Sequence, residues 1–361
     1  MYKYKDLSVV LLYLILIVLI TISLFAYKTK EYGSTFPFNR TENSQPSAVL
    51  DIIELKEQFP APSTTSGSSG SNITQQEHAK AEETWKRSVE RRFAERRESV
   101  RARCEEVGPY NYNAQRTAQM SFYCSKNYNI FVCVTAKSGA TTWKTHLLRL
   151  DGVTEHFRNP HSGKYDTLIR ASIQLNPDQL QEAATSRSAT RIMTARNPLT
   201  RLVSAYRDKF NDGERPPVSR WGRLTARHCK NCTGRDGTLP FPQFLTLVLS
   251  EANAMGVAGL DKHYRPFSTV CSPCKIQYDY IFKQETFDED LHYLTQVLRL
   301  KEVKTGLRTN TKGNTTQYSS YLDYYRDVPP DVLKQIYKVY EKDFRIFDYE
   351  FPETLLRKME D

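Results

Sequence analysis

The pattern of apolar and polar positions divides the chain into an apolar run near the N-terminus, a polar stretch and a long alternating region. The run from Leu7 to Tyr27 contains no charged residue, and about 20 apolar residues are enough to cross a bilayer as a helix. A cleaved signal peptide would have a shorter apolar region with small residues at its cleavage site, which this run does not provide. We therefore predict one transmembrane signal anchor at residues 7–27, preceded by a short tail at residues 1–6.

Residues 28–103 are predicted to form a stem in two parts. The first part lacks periodicity, and its centre from Pro60 to Ser71 is too rich in Ser, Gly and Pro to bury a core. From Gln75 to Glu106 the pattern becomes helical and highly charged, with apolar residues at four-residue spacing on one face. The arginines that crowd this helix fit a solvated surface as well as a polyanion-binding site, so both interpretations stay open.

Most of residues 104–361 consists of short apolar runs that alternate with helical patterns. This alternation predicts an α/β domain with a central, largely parallel sheet flanked by helices. A late amphipathic pattern from Val332 to Phe344, with Pro329 and Pro330 ahead of it, predicts a helix near the end of this domain.

The first segment with candidate chemistry joins a buried strand to a helix through a turn that carries a cation. Ile130 to Val134 form a short apolar run, which is typical of a buried parallel strand. The residues that follow are small or hydroxylated around one lysine: Ala136, Lys137, Ser138, Gly139, Ala140, Thr141 and Thr142. Backbone N–H groups and the helix start would direct positive charge at an anion here, although an ordinary polar turn would fit as well. The pattern G-x-x-x-x-G-K-[ST] is missing, which disfavours an ordinary ATP-binding loop.

A second unit of the same kind begins at Thr190. Arg196 lies where the predicted strand ends, Asn197 can cap the next helix, and Pro198 fits its first turn. Ser204 lies about two helical turns after Asn197 and so returns to the same face. Arg196 can bind a phosphate through two parallel hydrogen bonds, and Ser204 adds a donor. A capped helix with surface arginines is the alternative interpretation.

The cysteines and glycosylation triplets favour a lumenal body and a cytoplasmic tail. The triplets begin at Asn39, Asn72, Asn231 and Asn314. The pairs Cys229-x-x-Cys232 and Cys271-x-x-Cys274 have the spacing of a zinc ribbon, but disulfides suit a lumenal chain better. Cys133 lies inside the first strand and is predicted to be the odd, buried thiol among the seven cysteines.

The formal net charge of +10 suits a polyanionic partner. A lumenal compartment disfavours nucleic acid in that role, whereas anionic glycans are available there. We therefore predict a glycan partner, and a membrane attachment through the single N-terminal helix.

Both turns resemble the donor-binding segments of a known enzyme class. Lys137 to Trp143 resembles the 5′-phosphosulfate loop of sulfotransferases, and Arg196 to Phe210 resembles their 3′-phosphate segment. The stretch from His263 to Thr286 and the stretch from Tyr337 to Tyr349 resemble the Golgi carbohydrate sulfotransferases that act on chondroitin, dermatan and related glycans. That subfamily usually has Lys-Val-Ala-Cys-Ser-Asn-Trp or similar where this chain has Lys-Ser-Gly-Ala-Thr-Thr-Trp, which is nearer to the soluble sulfotransferases.

The resemblance implies a P-loop-like sulfotransferase fold over residues 104–361 and a type II location in the Golgi membrane. It implies transfer of a sulfuryl group from 3′-phosphoadenosine 5′-phosphosulfate (PAPS) to a glycan hydroxyl, without a metal. The 4-position of N-acetylgalactosamine in chondroitin- or dermatan-type chains is the first choice of acceptor, by family alone. The implied cofactor-binding residues are Ala136, Lys137, Ser138, Gly139, Ala140, Thr141, Thr142, Arg196, Asn197, Pro198, Leu199, Thr200, Arg201, Leu202, Val203 and Ser204.

Lys137 is the expected catalytic cation, because charge builds on the leaving phosphate. A sugar hydroxyl also needs a general base, for which His263 leads because it lies in a matched motif, and His161 follows. A metal-dependent glycosyltransferase using Asp288 and Asp290 is an alternative, although these acids also suit a helix start. A non-catalytic glycan-binding membrane protein is another alternative, against which the intact donor-binding residues argue.

Overall fold

The computed structural model describes residues 75–108, 121–153, 163–210, 220–229, 231–233, 238–307 and 321–360. The predicted tail, the anchor at residues 7–27 and the first part of the stem lie outside these ranges, as do His161, Asn39, Asn72 and Asn314. Within these ranges, none of the helices combines the length and the apolar character that a membrane span requires.

Strands and helices alternate along the described chain, as the sequence pattern predicts. The strands are β1 (Phe122–Ser125), β2 (Ile130–Cys133), β3 (Thr190–Ala195) and β4 (Tyr280–Lys283). The helices are α1 (Gln75–Val107), α2 (Ala140–Leu150), α3 (Gly163–Ser172), α4 (Pro177–Thr185), α5 (Pro198–Lys209), α6 (Arg220–His228), α7 (Phe241–Met255), α8 (Phe267–Cys271), α9 (Phe287–Val297), α10 (Pro330–Ile346) and α11 (Glu353–Glu360). Short 3₁₀ turns lie at Val257–Gly259, Gln284–Thr286 and Leu322–Tyr325.

The described strands form one four-stranded sheet in the order β1-β2-β3-β4. β2, β3 and β4 run parallel to one another, and β1 pairs antiparallel with β2. The prediction of a largely parallel sheet flanked by helices is therefore confirmed. Cys133 pairs with Met193 and Ala195 pairs with Lys283, so the carboxyl ends of three strands meet at one edge of the sheet.

Alternate residues of β2 face two different hydrophobic clusters, because successive side chains of a strand point to opposite faces. Ile130 and Val132 pack in a cluster with Trp143, where α2 and α9 cover the sheet. Phe131 and Cys133 pack on the other side, in a cluster with Phe267 of α8. A third cluster joins α5, α7 and α10. Burial on both faces explains why β2 is an uninterrupted apolar run.

Helix α1, which the sequence analysis grouped with the stem, packs against the same body as the sheet. Val89 and Phe93 are buried in the cluster on the α2 face, and Val100 is buried in the cluster on the α8 face. Arg96 donates from Nη1 to the carbonyl oxygen of Ile281 at 3.0 Å and to Asp290 Oδ2 at 2.7 Å. Arg96 therefore attaches α1 to strand β4 and to Asp290 through hydrogen bonds.

The cysteines form disulfides, as a lumenal chain predicts, but the unpaired thiol is not the predicted one. The bonds are Cys104–Cys274, Cys133–Cys271 and Cys229–Cys232, and the free cysteine among the described residues is Cys124. Cys133 points to the face that α8 covers, where its Cα lies 5.8 Å from that of Cys271, within the usual range for a disulfide. The prediction for Cys133 is therefore wrong. The zinc-ribbon alternative is also wrong, because all four of its thiols are consumed in these bonds.

Candidate active site

The turn after β2 is held in a tight conformation before α2 begins. Lys137 has φ 69° and Gly139 has φ 77°, and Gly139 occupies the N-cap position of α2. The hydroxyl of Ser138 contacts Thr135 Oγ1 and donates to the Thr135 carbonyl at 3.0 Å, so this side chain closes the turn from inside. The first N–H groups of a helix have no intrahelical partner. The start of α2, at Ala140, therefore presents N–H groups at this edge of the sheet.

Lys137 carries the cation of this turn in a half-buried position. Its Nζ lies 3.1 Å from Asp208 Oδ2, and its side chain is 15% exposed. Burial lowers the pKa of Lys137, while the Asp208 carboxylate acts in the opposite direction. Burial alone would raise the pKa of Asp208, yet the neighbouring lysines, Lys137 and Lys209, lower it to about 2. At neutral pH the pair therefore consists of a carboxylate and an ammonium.

Arg196 brings the second turn into direct contact with the first. Its Nη1 donates to the Lys137 carbonyl oxygen at 2.8 Å, and its Nε donates to Thr200 Oγ1 at 3.1 Å. Burial lowers the pKa of Arg196, while Glu285 opposes this effect. A guanidinium has five N–H donors, and these two contacts use only two of them. Arg196 itself is buried, and its remaining N–H groups could pair with an anion that reaches the turn of Lys137.

One face of α5 spans the space between the two cations. Asn197 caps the helix by accepting from the N–H groups of Leu199 at 2.9 Å and Thr200 at 3.4 Å, as predicted. Thr200, Ser204 and Asp208 are spaced four residues apart, so they share a face. Because Thr200 contacts Arg196 and Asp208 contacts Lys137, Ser204 lies between the two contacts and is partly exposed.

Other residues of the predicted cofactor segment point into the protein. Leu199, Leu202 and Val203 are buried in the helical cluster, so their side chains fix α5 in place. Arg201 is also buried and donates to the carbonyl oxygens of Ala136 at 3.1 Å, Lys262 at 3.2 Å and Arg265. Its guanidinium lies 4.2 Å from the centre of the Phe267 ring.

The contacts of Arg201 hold a third segment against the turn of Lys137. This segment, residues 261–265, carries His263 and lies far from the turn of Lys137 in the sequence. The sequence could not distinguish this buried arginine from a solvated one, because the three carbonyl groups that it binds come from remote positions.

His263 forms a dyad with Asp261. Its Nδ1 lies 2.6 Å from Asp261 Oδ1, and its backbone N–H donates to the same oxygen at 3.0 Å. Arg220 donates from Nη2 to Asp261 Oδ2 at 2.8 Å. An ionised carboxylate only accepts, so Nδ1 carries the proton and Nε2 is left as the basic nitrogen. Burial lowers the pKa of His263, and Asp261 partly opposes this effect.

Lys209 links the dyad electrostatically to the turn of Lys137. Its Nζ lies 3.0 Å from Asp208 Oδ2. The charge of Lys209 lowers the pKa of both Lys137 and His263, so it lies within electrostatic range of both. Asp208, Lys209 and Asp261 were not singled out from the sequence. Asp208 and Lys209 lay inside a matched segment and Asp261 lay just before one, but the contacts to Lys137 and Arg220 that join them to the site are long-range.

Asp290, which the glycosyltransferase alternative would need as a metal ligand, is committed to other contacts. It is fully buried and accepts from Arg92 Nη2 at 2.7 Å, from Arg96 Nη1 at 2.7 Å and from Thr286 Oγ1 at 2.8 Å. Among the described residues, no cluster of His, Cys, Asp or Glu has the arrangement of a metal site. Asp290 instead anchors α1, and this alternative has no support.

Comparison with known proteins agrees with this geometry. The model of the sulfotransferase family matches residues 120–350. The chain belongs to the sulfotransferase family. The match includes both turns, the dyad and all of α10, so this sulfotransferase carries its candidate site within the matched region.

Several carbohydrate sulfotransferases are similar to this sulfotransferase over matched segments of different length. Carbohydrate sulfotransferase 11 of Rattus norvegicus is 26% identical over 240 residues, which are 64% of this chain and 67% of the relative. Carbohydrate sulfotransferase 9 of Homo sapiens is 25% identical over 284 residues, 74% of this chain and 62% of the relative. Carbohydrate sulfotransferase 12 of Mus musculus is 31% identical over 179 residues, 46% of this chain and 42% of the relative. No solved structure matches the chain significantly.

Proposed function

We propose that this sulfotransferase transfers a sulfuryl group from PAPS to a hydroxyl group of a glycan. The observation that supports the proposal most is the 2.8 Å hydrogen bond between Arg196 Nη1 and the Lys137 carbonyl, which joins two cationic turns at one sheet edge. A donor with phosphate at both the 3′ and the 5′ position needs two such turns side by side. The relatives named above are carbohydrate sulfotransferases, which supports a glycan as the acceptor.

The proposed donor site has the chemistry that a doubly phosphorylated molecule requires. When bound, PAPS supplies the sulfuryl group and leaves as adenosine 3′,5′-bisphosphate. Lys137 and the N–H groups at the start of α2 stabilise the charge that develops on the leaving 5′-phosphate. Arg196 binds the 3′-phosphate through its remaining N–H groups, and Ser204 adds a hydroxyl on the same face of α5.

His263 is the proposed general base. Its Nδ1–H is held by Asp261, so Nε2 can accept the proton of the attacking sugar hydroxyl. Burial keeps the imidazole neutral at neutral pH, which is the form that a base requires. His161, the second candidate, lies outside the described residues and stays a prediction.

The acceptor and the location are finer parts of the proposal. The resemblance of the sequence favours the 4-position of N-acetylgalactosamine in chondroitin- or dermatan-type chains. The charged residues Lys137, Lys209 and Arg220 around the site suit an anionic chain. We also infer a type II protein of the Golgi membrane, anchored at residues 7–27. The exposed position of Asn231 and the disulfides suit a lumenal body.

Sulfate transfer from labelled PAPS to a panel of desulfated glycosaminoglycans, with disaccharide analysis of the product, tests this proposal. The full-length enzyme should label a chondroitin-type acceptor at the 4-position. Lys137→Ala should reduce transfer by about 100-fold or more, the range found when one stabilising group of a transition state is removed. Lys334→Ala, which removes an exposed lysine of α10, is the control and should transfer normally. Normal transfer by Lys137→Ala would contradict the role of Lys137, and no labelling of any glycan would contradict the function.

A further inference from the structure

A carboxylate lies beside Lys137 in the proposed donor site. The same oxygen of Asp208, Oδ2, lies 3.1 Å from Lys137 Nζ and 3.0 Å from Lys209 Nζ. Asp208 is partly buried, with its side chain 22% exposed, on the α5 face that also carries Ser204. A negative charge at this place opposes the binding of a polyanionic donor. An acid in an anion site therefore requires an explanation.

Two ordinary roles do not account for this position. Asp208 is a poor general base, because the two ammonium groups hold its pKa at about 2. A purely structural ion pair would not need the lysine that the donor also requires, and Lys209 alone would neutralise the carboxylate. What distinguishes this pair is that it engages the side chain proposed to act on the leaving phosphate.

We propose that Asp208 is a positioning residue that binds the Lys137 ammonium in the donor-free enzyme and releases it when the donor binds. This proposal rests on the proposed function. In the donor-free state the carboxylate takes the place of the donor's 5′-phosphate as the partner of Lys137. When the donor binds, its phosphate replaces Asp208, and Asp208 keeps Lys209 as its partner.

Two features of the structure keep the free-energy cost of this exchange low. Because both lysines share one oxygen, the departure of Lys137 leaves Asp208 paired and does not create a lone charge in a half-buried site. The backbone of Lys137 does not need to move, since Arg196 binds its carbonyl oxygen. Only the flexible lysine side chain has to turn from the α5 face toward the start of α2.

Because Asp208 competes with the donor for Lys137, removal of the Asp208 carboxylate should improve donor binding. The pKa of Asp208 falls from 3.8 to about 2 through its lysine neighbours, and one pKa unit corresponds to a tenfold change in equilibrium. Because Lys137 supplies part of this stabilisation, the donor should overcome a penalty of about tenfold to displace it. Asp208→Asn should therefore bind adenosine 3′,5′-bisphosphate about tenfold more tightly than the unmodified enzyme, and the KM for PAPS should fall more than kcat changes.

The test compares matched variants of the full-length enzyme by calorimetric titration with adenosine 3′,5′-bisphosphate and by transfer kinetics. Asp208→Glu keeps the carboxylate and should restore affinity toward that of the unmodified enzyme. Asp323→Asn removes the same charge from an exposed surface pair with Arg326 and should leave affinity unchanged. Equal or weaker binding by Asp208→Asn would overturn the proposal. Failure of the unmodified enzyme to bind the ligand would instead contradict the proposed function.

A structure of the unmodified enzyme with adenosine 3′,5′-bisphosphate provides a measurement that does not depend on the folding of a variant. The distance from Lys137 Nζ to Asp208 should exceed the 4 Å of an ion pair, while Lys209 stays within it. A retained Lys137–Asp208 pair in that complex would overturn the proposal.

Discussion

Replacement of Arg201 by methionine tests whether a buried arginine holds the two halves of the candidate site together. Methionine keeps much of the apolar volume but removes the contacts to the carbonyl oxygens of Ala136, Lys262 and Arg265. Hydrogen bonds from a charged donor contribute about 1.5–3 kcal/mol each, so their gross loss is roughly 5–9 kcal/mol. Desolvation offsets part of this, because burial lowers the pKa of Arg201 from 12.5 to about 10, which corresponds to roughly 3 kcal/mol. We expect a net loss of about 2–6 kcal/mol of unfolding free energy.

Urea unfolding of the full-length enzyme under non-reducing conditions measures this loss, together with sulfate transfer under conditions where the variant stays folded. Transfer should fall as well, because the segment with His263 is no longer fixed beside the turn of Lys137. Arg326→Met, which breaks an exposed pair with Asp323, is the control and should change stability by less than about 1 kcal/mol. If Arg201→Met matched this control in both stability and transfer, the reasoning about Arg201 would be refuted.

Further predictions concern the base, the turn and the anchor of α1. Transfer should decline as the pH falls through the pKa of His263, which lies below 6.5, because the base must be neutral. Asp261 raises the pKa of His263, so Asp261→Asn should move this decline to lower pH. A pH–rate profile measures both effects. Gly139→Ala should cost about 1–2 kcal/mol and raise the KM for PAPS, since its φ is 77° and a Cβ would lie 3.3 Å from a Phe287 ring carbon. Gly256 has φ 73° and ψ 163°, a conformation nearly restricted to glycine, with open space around it, so Gly256→Ala should lose at least as much stability in urea unfolding without the change in KM. Asp290→Ala should lower the free energy of unfolding by about 3 kcal/mol or more, because it removes the carboxylate that pairs with the largely buried Arg96, and it should not create a dependence on manganese.

Much of the site was predictable from local sequence, because its parts are local structures. A buried strand, a tight turn and a helix start are each specified by adjacent residues, as in Asn197 and Pro198, which cap and begin α5 as predicted. The adjacency of the two turns follows from parallel strands that end at one edge. The order and spacing of the motifs were enough to indicate the family.

What the sequence did not provide was the partners of individual side chains. The partner of Cys133 depends on which face of the sheet α8 covers, and the period of the strand alone does not define that. From the sequence, Arg201 fits either a residue of the cofactor segment or a solvated one, and only the folded chain brings the carbonyl groups of residues 136, 262 and 265 to it. Asp208 and Asp261 also have partners that are remote in the sequence, Lys137 and Arg220, which lie near them only in the folded chain. These contacts arise from tertiary packing, which local patterns do not encode.

The most direct test of the central claim, that the turns of Lys137 and Arg196 bind opposite ends of one donor, is a set of binding titrations with three ligands. Adenosine 3′,5′-bisphosphate should bind the enzyme more tightly than either adenosine 3′-phosphate or adenosine 5′-phosphate. Lys137→Ala should remove most of the affinity that the 5′-phosphate adds, and Arg196→Ala should remove most of the affinity that the 3′-phosphate adds. Each loss should be about tenfold or more. If both variants lost affinity equally for all three ligands, or if neither lost any, the two turns would not hold the two ends of one molecule.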